Sequence, residues 1–285
     1  LSFIPEEALK PGVFNVPTYR RYTEFVSRLK LIFTARTIET RVAVLYPILS
    51  LQAQFTPSTR SMYEPHPRKD INFIDGAFTG LCRSLLQQQI DYDMVDETSM
   101  ATADIDEKTL ALGERRYDVI VLPPMDTIRV STMVAIDRFA QAGGTIIGHA
   151  RLPKYAADGQ DKDTSIRTTV RRLRRSGSLL ILDTKVKSIG RLVKPHLALQ
   201  VKLSPMRKSI LYTALKNGAG TSYFLVNVSA KRYEGSLTMP GAGTPVLHDP
   251  ATGKERWLRP QKTKHGQIRV LLKLRPFESL LVDFR

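Results

Sequence analysis

The sequence has 285 residues and a formal net charge of +16, with 43 Lys and Arg residues against 27 Asp and Glu. This length exceeds what one hydrophobic core usually organises, so we expect two domains. The apolar runs are far shorter than the roughly 20 residues that span a membrane, and no membrane partner is predicted. The single cysteine, Cys82, excludes an internal disulfide and a cysteine-rich metal site. We predict no cofactor.

An amphipathic helix is predicted to follow residues 1–17, which carry three prolines and read as irregular. Its apolar side chains recur at helical spacing and are Tyr22, Phe25, Val26, Leu29 and Phe33. The acidic residues and prolines of the first 20 positions are not the pattern of a signal peptide. Because the chain opens with Leu1 and not with an initiator Met, we expect a processed product or a part of something longer.

Five apolar runs between residues 42 and 184 alternate with helical patterns. The runs are "VAVLYP", "DYDMVDE", "YDVIVLPP", "TIIGHA" and "SLLILDT". Helices are predicted over about residues 74–90, over 131–142 and in the basic segment 164–176, while residues 98–115 look helical or loop-like. This alternation predicts a parallel, doubly wound sheet with right-handed crossovers, and a flavodoxin-like strand order is favoured.

The helix over residues 131–142 is predicted to turn one apolar stripe toward that sheet. The stripe consists of Met133, Val134, Ile136, Phe139 and Ala140. Gly143 and Gly144 follow at the positions where helices usually end, because glycine adopts the left-handed conformation without strain.

After about residue 195 the pattern changes to short strand-like runs separated by turn residues. The segment "KNGAG" (216–220) predicts a β-hairpin, and the whole region predicts an antiparallel β-sandwich. We therefore divide the chain into an N-terminal segment with a helix (1–40), an α/β domain (41–194) and a β-sandwich domain (195–285).

In open α/β sheets, ligands bind beyond the carboxyl ends of the strands. The sequence places Tyr46, Asp96, Asp126 and His149 at these ends, as candidate ligand contacts. A carboxylate and a histidine can share acid–base chemistry, so a small independent enzyme using Asp96 and His149 is one hypothesis. However, no glycine-rich phosphate loop follows the first strand, and no strand is followed by a nucleophile in an elbow. We therefore favour structural roles and predict no catalytic or metal-binding residue.

The excess of positive charge is concentrated after residue 160. Arg171, Arg172, Arg174 and Arg175 form a cluster in the basic helix, and arginine suits phosphate recognition. No aromatic side chains are interleaved for base stacking, so a solvated helix face is favoured over a polyanion-binding or nucleic-acid-binding module. The net charge still predicts non-specific attraction to polyanions.

The single tryptophan, Trp257, lies in the segment "TGKERWLRP" of the predicted sandwich. An exposed indole ring can serve as a platform on which a sugar stacks. We favour a packing role at the rim of the domain, because aromatic side chains are ordinary core material.

Several segments, taken in order, resemble the C-terminal part of large bacterial glycoside hydrolases. Residues before "VAVLYP" look like the end of the last barrel helix, and "YDVIVLPPM" and "AIDRFAQAGGTIIGHARLP" resemble the glutamine-amidotransferase-like domain that follows such barrels. The turn "DPATG" (249–253) and the ending "PFES" (276–279) are similar to features of the terminal β-sandwich. The resemblance is to the α-L-rhamnosidase-like glycoside hydrolase family 106, with family 42 β-galactosidases as the second choice.

This resemblance implies that the catalytic carboxylates lie on an upstream barrel, because glycoside hydrolysis needs two acids flanking one bond. The chain is then a non-catalytic C-terminal portion, and its partners are that barrel or another subunit and, through Trp257, carbohydrate. The resemblance also implies a periplasmic or secreted location. The fourth-strand region lacks the cysteine of true amidotransferases, so transfer of glutamine nitrogen is not implied.

Overall fold

The computed structural model describes residues 16–57, 59, 64–182, 189–197, 201–218, 220–263 and 267–285. The chain forms two compact units, one combining residues 1–39 with 201–285 and the other consisting of residues 40–200. The predicted irregular segment falls largely on residues 1–15, which lie outside the described residues. No described helix is long and apolar enough to cross a lipid bilayer.

The first elements are the helix α1 (Val16–Thr34) and the strand β1 (Thr37–Ile38), and both belong to the unit that contains the C-terminal residues. The helices of the other unit are α2 (Ile48–Gln52), α3 (Lys69–Gln87), α4 (Glu97–Ala101), α5 (Val130–Gln141), α6 (Asp163–Arg175) and α7 (Ile189–Val193). Its strands are β2 (Val42–Leu45), β3 (Asp93–Val95), β4 (Asp104–Asp106), β5 (Thr109–Leu112), β6 (Arg115–Tyr117), β7 (Val119–Leu122), β8 (Thr127–Ile128), β9 (Thr145–His149), β10 (Tyr155–Ala156) and β11 (Leu179–Leu182).

Five of these strands form one parallel sheet in the spatial order β11-β9-β7-β2-β3. Every residue of β2 and β7 is buried, as expected for strands that are covered on both faces. Successive residues of β2 enter different cores. Ala43 and Leu45 pack with α5 and α6, whereas Val42 and Val44 pack with α3 and α7. The predicted parallel sheet with helices on both faces is therefore present.

Helix α5 lies within one residue of its predicted bounds, and its end has the predicted glycine geometry. Gly143 has φ = +88°. The amide groups of Gly143 and Gly144 donate hydrogen bonds to the carbonyl oxygens of Ala140 (3.0 Å) and Phe139 (2.9 Å), respectively. These two bonds form a Schellman motif, which satisfies carbonyl groups that the helix itself leaves unpaired.

Two details predicted for the α/β region are wrong. Val134 does not belong to the inner stripe of α5, since its side chain is 52% exposed and Ala135 is buried instead. The prediction that residues 98–115 are helical or loop-like is wrong in part, because they also contain β4, β5 and the first residue of β6, which belong to an antiparallel sheet. Its two tight turns place Glu107 (φ = +50°) and Gly113 (φ = +57°) in the left-handed region, as two-residue hairpin loops require.

The remaining strands belong to the first unit. They are β12 (Lys202–Ser204), β13 (Ile210–Asn217), β14 (Gly220–Asn227), β15 (Tyr233–Met239), β16 (Pro245–His248), β17 (Glu255–Trp257), β18 (Gln261–Lys262), β19 (Ile268–Leu274) and β20 (Ser279–Phe284). With β1 they form two antiparallel sheets, in the orders β1-β13-β14-β20-β16-β17 and β12-β15-β19-β18. The predicted hairpin joins β13 to β14, with Asn217 paired to Gly220, while Ala219 of its turn lies outside the described residues.

Helix α1 covers one face of the six-stranded sheet. Leu29 and Ile32 pack against a small core that contains Phe224 of β14. The ring of Phe33 meets that of Phe224 edge to face, with centroids 5.1 Å apart. Because side chains alternate along a strand, the neighbouring Tyr223 points to the opposite face of the sheet, where it is fully buried.

The apolar face predicted for α1 is wrong in its N-terminal half. Tyr22 and Val26 are 56% and 42% exposed, respectively, and Tyr19 is exposed as well. Since these three residues recur at spacings of three and four, they share one side of the helix. We call Tyr19, Tyr22 and Val26 the α1 outer surface.

Candidate functional site

The carboxyl edge of the parallel sheet carries all four residues that the sequence predicts as ligand contacts. Tyr46 and Asp96 directly follow β2 and β3, His149 is the last residue of β9, and Asp126 follows the end of β7. Sheets of this class bind ligands at this edge. The hydrogen bonds and burial of each side chain decide what it can contribute there.

Asp96 caps helix α4. Its Oδ1 accepts hydrogen bonds from the amide groups of Thr98 (2.8 Å) and Ser99 (3.0 Å), and its Oδ2 accepts one from the Ser99 hydroxyl (2.6 Å). These bonds lower the pKa of Asp96, because they stabilise the charged carboxylate. The group is therefore a helix cap and does not hold a proton to donate near neutral pH.

Asp126 is largely buried and forms a forked ion pair with Arg151. The Nε of Arg151 lies 2.9 Å from Oδ1 and 3.0 Å from Oδ2 of Asp126, and Nη2 also contacts Oδ2. Nη1 donates to Oδ1 of Asp70 (2.8 Å), and Nε2 of Gln54 donates to Oδ2 of Asp126 (3.1 Å). Hydrogen bonding to Asp126 raises the pKa of Arg151. We call Gln54, Asp70, Asp126 and Arg151 the Arg151 cluster.

Ser50 of α2 holds the backbone beneath the Arg151 cluster. It is fully buried. Its Oγ accepts hydrogen bonds from the amide groups of Asp126 and Thr127, both at 2.9 Å, and donates one to the Thr127 carbonyl oxygen at 3.0 Å. Because the donor and both acceptor positions of this hydroxyl are used, Ser50 is a structural anchor and not a nucleophile.

His149 is buried beside the same cluster. Its Nδ1 accepts a hydrogen bond from the amide group of Arg151 (3.2 Å), and its ring meets that of Phe73 edge to face with centroids 6.0 Å apart. Burial and, to a lesser degree, the charge of Arg151 lower the pKa of His149, so the ring is neutral at pH 7. Among the described residues, no hydrogen bond joins His149 to Asp96, the pair that an independent enzyme would need.

Among the described residues, Tyr46 forms no hydrogen bond or ring contact with the Arg151 cluster. Its amide group donates to the Val95 carbonyl oxygen (2.9 Å), which continues the pairing of β2 with β3. Its ring packs on Phe78 of α3, with centroids 5.4 Å apart. Tyr46 therefore packs α3 against the edge of the sheet.

Arg151 is the residue that sequence reasoning does not identify. It stands two residues beyond β9, in "GHARLP", and a charged residue so close to a strand end is the only local signal. Its partners Asp70 and Gln54 lie 81 and 97 positions earlier in the chain, and only the fold brings them together. The structure thus joins the predicted Asp126 and His149 through an unpredicted arginine.

Glu97 is a second unpredicted residue with an unusual environment. It is 3% exposed. Its Oε2 accepts a hydrogen bond from the amide group of Arg129 at the start of α5 (2.7 Å). The next amide group, that of Val130, donates a hydrogen bond to Asp158 (2.6 Å). Within the described part of the chain, Oε1 of Glu97 has no hydrogen-bond partner. Burial raises the pKa of Glu97, because desolvation disfavours the charged carboxylate.

An opening of about 540 Å³ lies beside the Arg151 cluster, and we call it the Arg151 opening. Polar side chains from the segment after α2, the start of α3, the loop after β9, strand β10 and the turn before α6 line it, among them Gln54, Arg68, Asp70, Arg151, Tyr155 and Gln160. The part of the chain that the structure describes holds no group of three His, Cys, Asp or Glu side chains placed for a metal ion. Cys82 is buried, and burial raises the pKa of its thiol, so it packs as a small apolar residue.

The basic helix corresponds to α6, and its four arginines have different surroundings. Arg172 forms an ion pair with Asp137 of α5 at 2.5 Å. Arg171, Arg174 and Arg175 are exposed, and none of them has an ion pair with another described residue. The positive charge on this face is therefore open to solvent.

Trp257 lies on β17, the edge strand of the six-stranded sheet. Its side chain is 58% exposed, although its backbone pairs with Val246 of β16. The ring is accessible to solvent, and its use as a sugar platform stays a prediction.

No protein-family model and no curated protein matches the sequence, but solved structures match the fold. A rhamnosidase from Novosphingobium sp. PP1Y matches 94% of this chain with 24% of its own, at a TM-score of 0.66 and 18% identity. The α-L-fucosidase isoenzyme 2 from Paenibacillus thiaminolyticus matches 93% of this chain with 51% of its own length, at a TM-score of 0.52 and 11% sequence identity. A β-galactosidase from Bacillus circulans sp. alkalophilus matches 92% of this chain with 44% of its own length, at a TM-score of 0.46 and 13% sequence identity.

At these identities the matches show a likeness of fold alone. The chain spans about a quarter of the length of the rhamnosidase and about half that of the fucosidase. It therefore has a fold that occurs as one part of larger glycoside hydrolases.

Proposed function

We propose that this chain is the non-catalytic C-terminal portion of a carbohydrate-active enzyme similar to the α-L-rhamnosidase-like glycoside hydrolases of family 106. The observation that carries the proposal is the match of 94% of the chain to about a quarter of a rhamnosidase. Numbered along the chain, the parallel strands lie in the order 2-1-3-4-5, which is the flavodoxin-like order. This order and the two antiparallel sheets support an amidotransferase-like domain and a β-sandwich as the two units.

The carboxyl groups at the sheet edge support a role without catalysis. Glycoside hydrolysis uses two carboxyl groups that flank one bond, about 5–5.5 Å apart in retaining enzymes and about 6.5–9.5 Å apart in inverting ones. Both groups must be free to attack or to exchange protons. Asp96 is committed to the cap of α4, and Asp126 is committed to Arg151. We therefore place the reacting carboxylates on an upstream barrel.

The α1 outer surface is the face that we assign to that barrel or to another subunit. Tyr19, Tyr22 and Val26 expose apolar atoms side by side along two turns of the helix. Clustered exposed rings and aliphatic side chains usually mark a surface that another protein surface covers. In this role the chain supports a catalytic domain or an oligomer contact.

The test compares the purified chain with the longer polypeptide that we expect its gene to encode. We expect the chain alone to fold and to release no aglycone from aryl α-L-rhamnosides. We expect the longer product to contain a barrel with two essential acidic residues and to hydrolyse the same substrates. Hydrolysis by the chain alone that disappears in an Asp126→Asn variant would overturn the proposal.

A second candidate function, polyanion binding through residues 164–176, rests on the exposed arginines of α6. Arg171, Arg174 and Arg175 present three positive charges with no ion pair from the described residues. Arg174 and Arg175 also lie in the last turn of α6, where positive charge stabilises the helix dipole. Since the helix dipole gives Arg174 and Arg175 a stabilising role that needs no ligand, we prefer the first proposal.

A further inference from the structure

We propose that the Arg151 opening binds a neutral carbohydrate and does not cleave it. The opening lies at the carboxyl edge of the parallel sheet, where sheets of this class hold ligands. Its volume of about 540 Å³ falls within the roughly 300–1,000 Å³ of small-molecule sites. This binding site belongs to the α/β unit itself, and the argument for it does not depend on an upstream barrel.

Hydrogen bonds within the protein already orient the Arg151 cluster, whose residues line the opening. Asp126 is held through its side chain by Arg151 and Gln54 and through its amide group by Ser50. Asp70 of α3 accepts a hydrogen bond from a third nitrogen of the same guanidinium. Polar groups that are already oriented lose little conformational freedom on binding, which favours recognition of a small polar molecule.

Several polar side chains that line the opening keep hydrogen-bonding capacity. The guanidinium of Arg68 and the side-chain amide of Gln160 have no hydrogen-bond partner among the described residues. Gln54 donates its amide hydrogen to Asp126 and keeps its carbonyl oxygen as an acceptor. The lining therefore offers donors and acceptors together, and a sugar hydroxyl can both donate and accept.

Tyr155 supplies an aromatic face at the rim of the opening. Its side chain is 52% exposed, while its backbone is fixed by the pairing of β10 with β8. A ring held in this way presents an apolar platform for the C–H face of a sugar and a hydroxyl for its polar edge. The opening thus combines the two kinds of contact that a carbohydrate needs.

The balance of charge favours a neutral ligand. Arg68 and Arg151 bring two positive charges to the lining, and Asp70, Asp126 and Asp163 bring three negative charges. Asp163 also forms an ion pair with Arg167 at 3.8 Å, which offsets the third negative charge. A phosphate or sulfate would meet these carboxylates at short range, and repulsion between like charges would oppose its binding. Hydroxyl groups carry no net charge and suit such a mixed lining.

The test is an NMR titration of the isotope-labelled full chain with methyl α-L-rhamnopyranoside, L-fucose and D-galactose as separate probes. We expect at least one sugar to give saturable shifts of the amide signals around Tyr155 and Gln160. The Tyr155→Ala and Gln160→Ala variants should each weaken binding by on the order of tenfold, the change that one lost contact of moderate strength produces. An Arg171→Gln variant, altered on the exposed face of α6, should bind like the native chain.

The thermal unfolding midpoint of each variant shows whether it folds, and Arg68→Gln replaces any variant that does not. Failure of all three sugars to shift these signals would overturn the proposal. A stronger response of the same signals to inorganic phosphate would also overturn it, since the opening would then be an anion site. Turnover of an aryl glycoside by the chain, lost in the Tyr155→Ala and Gln160→Ala variants, would overturn the statement that the opening does not cleave its ligand. Turnover that these variants retain would contradict only the non-catalytic role proposed above.

Discussion

The Arg151 guanidinium and the Asp126 carboxylate form a forked ion pair at the carboxyl edge of the parallel sheet, with Nε 2.9 and 3.0 Å from the two carboxylate oxygens. Arg151 follows strand β9 and Asp126 follows the neighbouring strand β7. Their side chains are 25% and 13% exposed to solvent, respectively. The pair therefore fastens two strand-end loops together. The pair also engages both oxygens of the carboxylate that acid–base chemistry at this edge would require.

Replacing Arg151 by Met should destabilise the α/β unit, because Asp126 would stay largely buried without its charged partner. Breaking a buried ion pair costs about 3–5 kcal/mol, and the partial exposure of Arg151 reduces this cost, so we expect a loss of about 2–3 kcal/mol. Urea unfolding of both chains measures the difference. The double variant Arg151→Met with Asp126→Leu should recover part of the loss. A loss below about 0.5 kcal/mol, the level of a surface pair, would contradict the structural role.

Glu97 should make stability depend on pH in the direction set by its burial. Its folded-state pKa is raised, so its contribution to stability is complete below its unfolded pKa of about 4.3 and is lost as the pH rises through the folded pKa. A Glu97→Gln variant keeps an oxygen for the Arg129 amide group and does not ionise. We expect the unfolding free energy of this variant, relative to the native chain, to increase as the pH rises from about 4 to about 7.

Asp96 provides a matched control, because its pKa is shifted in the opposite direction to that of Glu97. Hydrogen bonds lower its folded-state pKa, so its contribution is present above its unfolded pKa and is lost as the pH falls through the folded pKa. The native chain should therefore lose stability relative to an Asp96→Asn variant as the pH falls below about 4. Urea unfolding across this pH series checks both residues. Identical pH dependence of the native chain and the Glu97→Gln variant would rule out a desolvated carboxyl group at Glu97.

Phe277 should be replaceable by glycine with a gain in stability. It has φ = +55° in a turn where the amide group of Glu278 donates to the Arg275 carbonyl oxygen (3.3 Å), and turns with a left-handed third residue favour glycine. Its side chain is 71% exposed and gains little from packing. We expect Phe277→Gly to raise the unfolding free energy by about 0.5–1 kcal/mol. Phe277→Ala keeps the strained backbone, and an equal gain from it would contradict this explanation.

Removing the exposed charges of α6 tests the polyanion alternative. If these residues form a specific site, a triple variant with Arg171, Arg174 and Arg175 changed to Gln should elute from heparin at lower salt than a control that loses three charges elsewhere. The control carries Gln at three exposed positions of the first unit, Arg232, Lys254 and Arg256. Our preferred account predicts similar elution of the two variants, because net charge alone then sets the attraction. A clearly larger effect of the α6 variant would favour the polyanion function.

The parallel sheet could be predicted because its strands have to be apolar throughout. The runs "VAVL" and "VIVL" become β2 and β7, in which every residue is buried, and this pattern is typical of strands covered on both faces. The sheet of β4, β5 and β6 could not be predicted in the same way. One of its turns uses Glu107 at φ = +50°, and a glutamate carries no sequence signal for the left-handed conformation.

The candidate site shows the same division between local and long-range information. Asp126 and His149 were predictable, because strand ends identify the carboxyl edge of a sheet. The Arg151 cluster was not, because its members are distant along the chain and become neighbours only when α2 and α3 pack beside β7 and β9. On α1, helical spacing predicted a stripe that includes Tyr22, Val26 and Leu29. Packing on β14 uses Leu29 together with the unpredicted Ile32.

The most direct test of the central claim is the rate at which the purified 285-residue chain releases nitrophenol from a nitrophenyl α-L-rhamnopyranoside. Our account predicts no rate above the uncatalysed background across the pH range in which the chain is folded. It also predicts that the Asp96→Asn and Asp126→Asn variants give the same background. Turnover that co-purifies with the folded chain and is abolished by either substitution in a variant that still folds would show that this polypeptide contains its own catalytic residues.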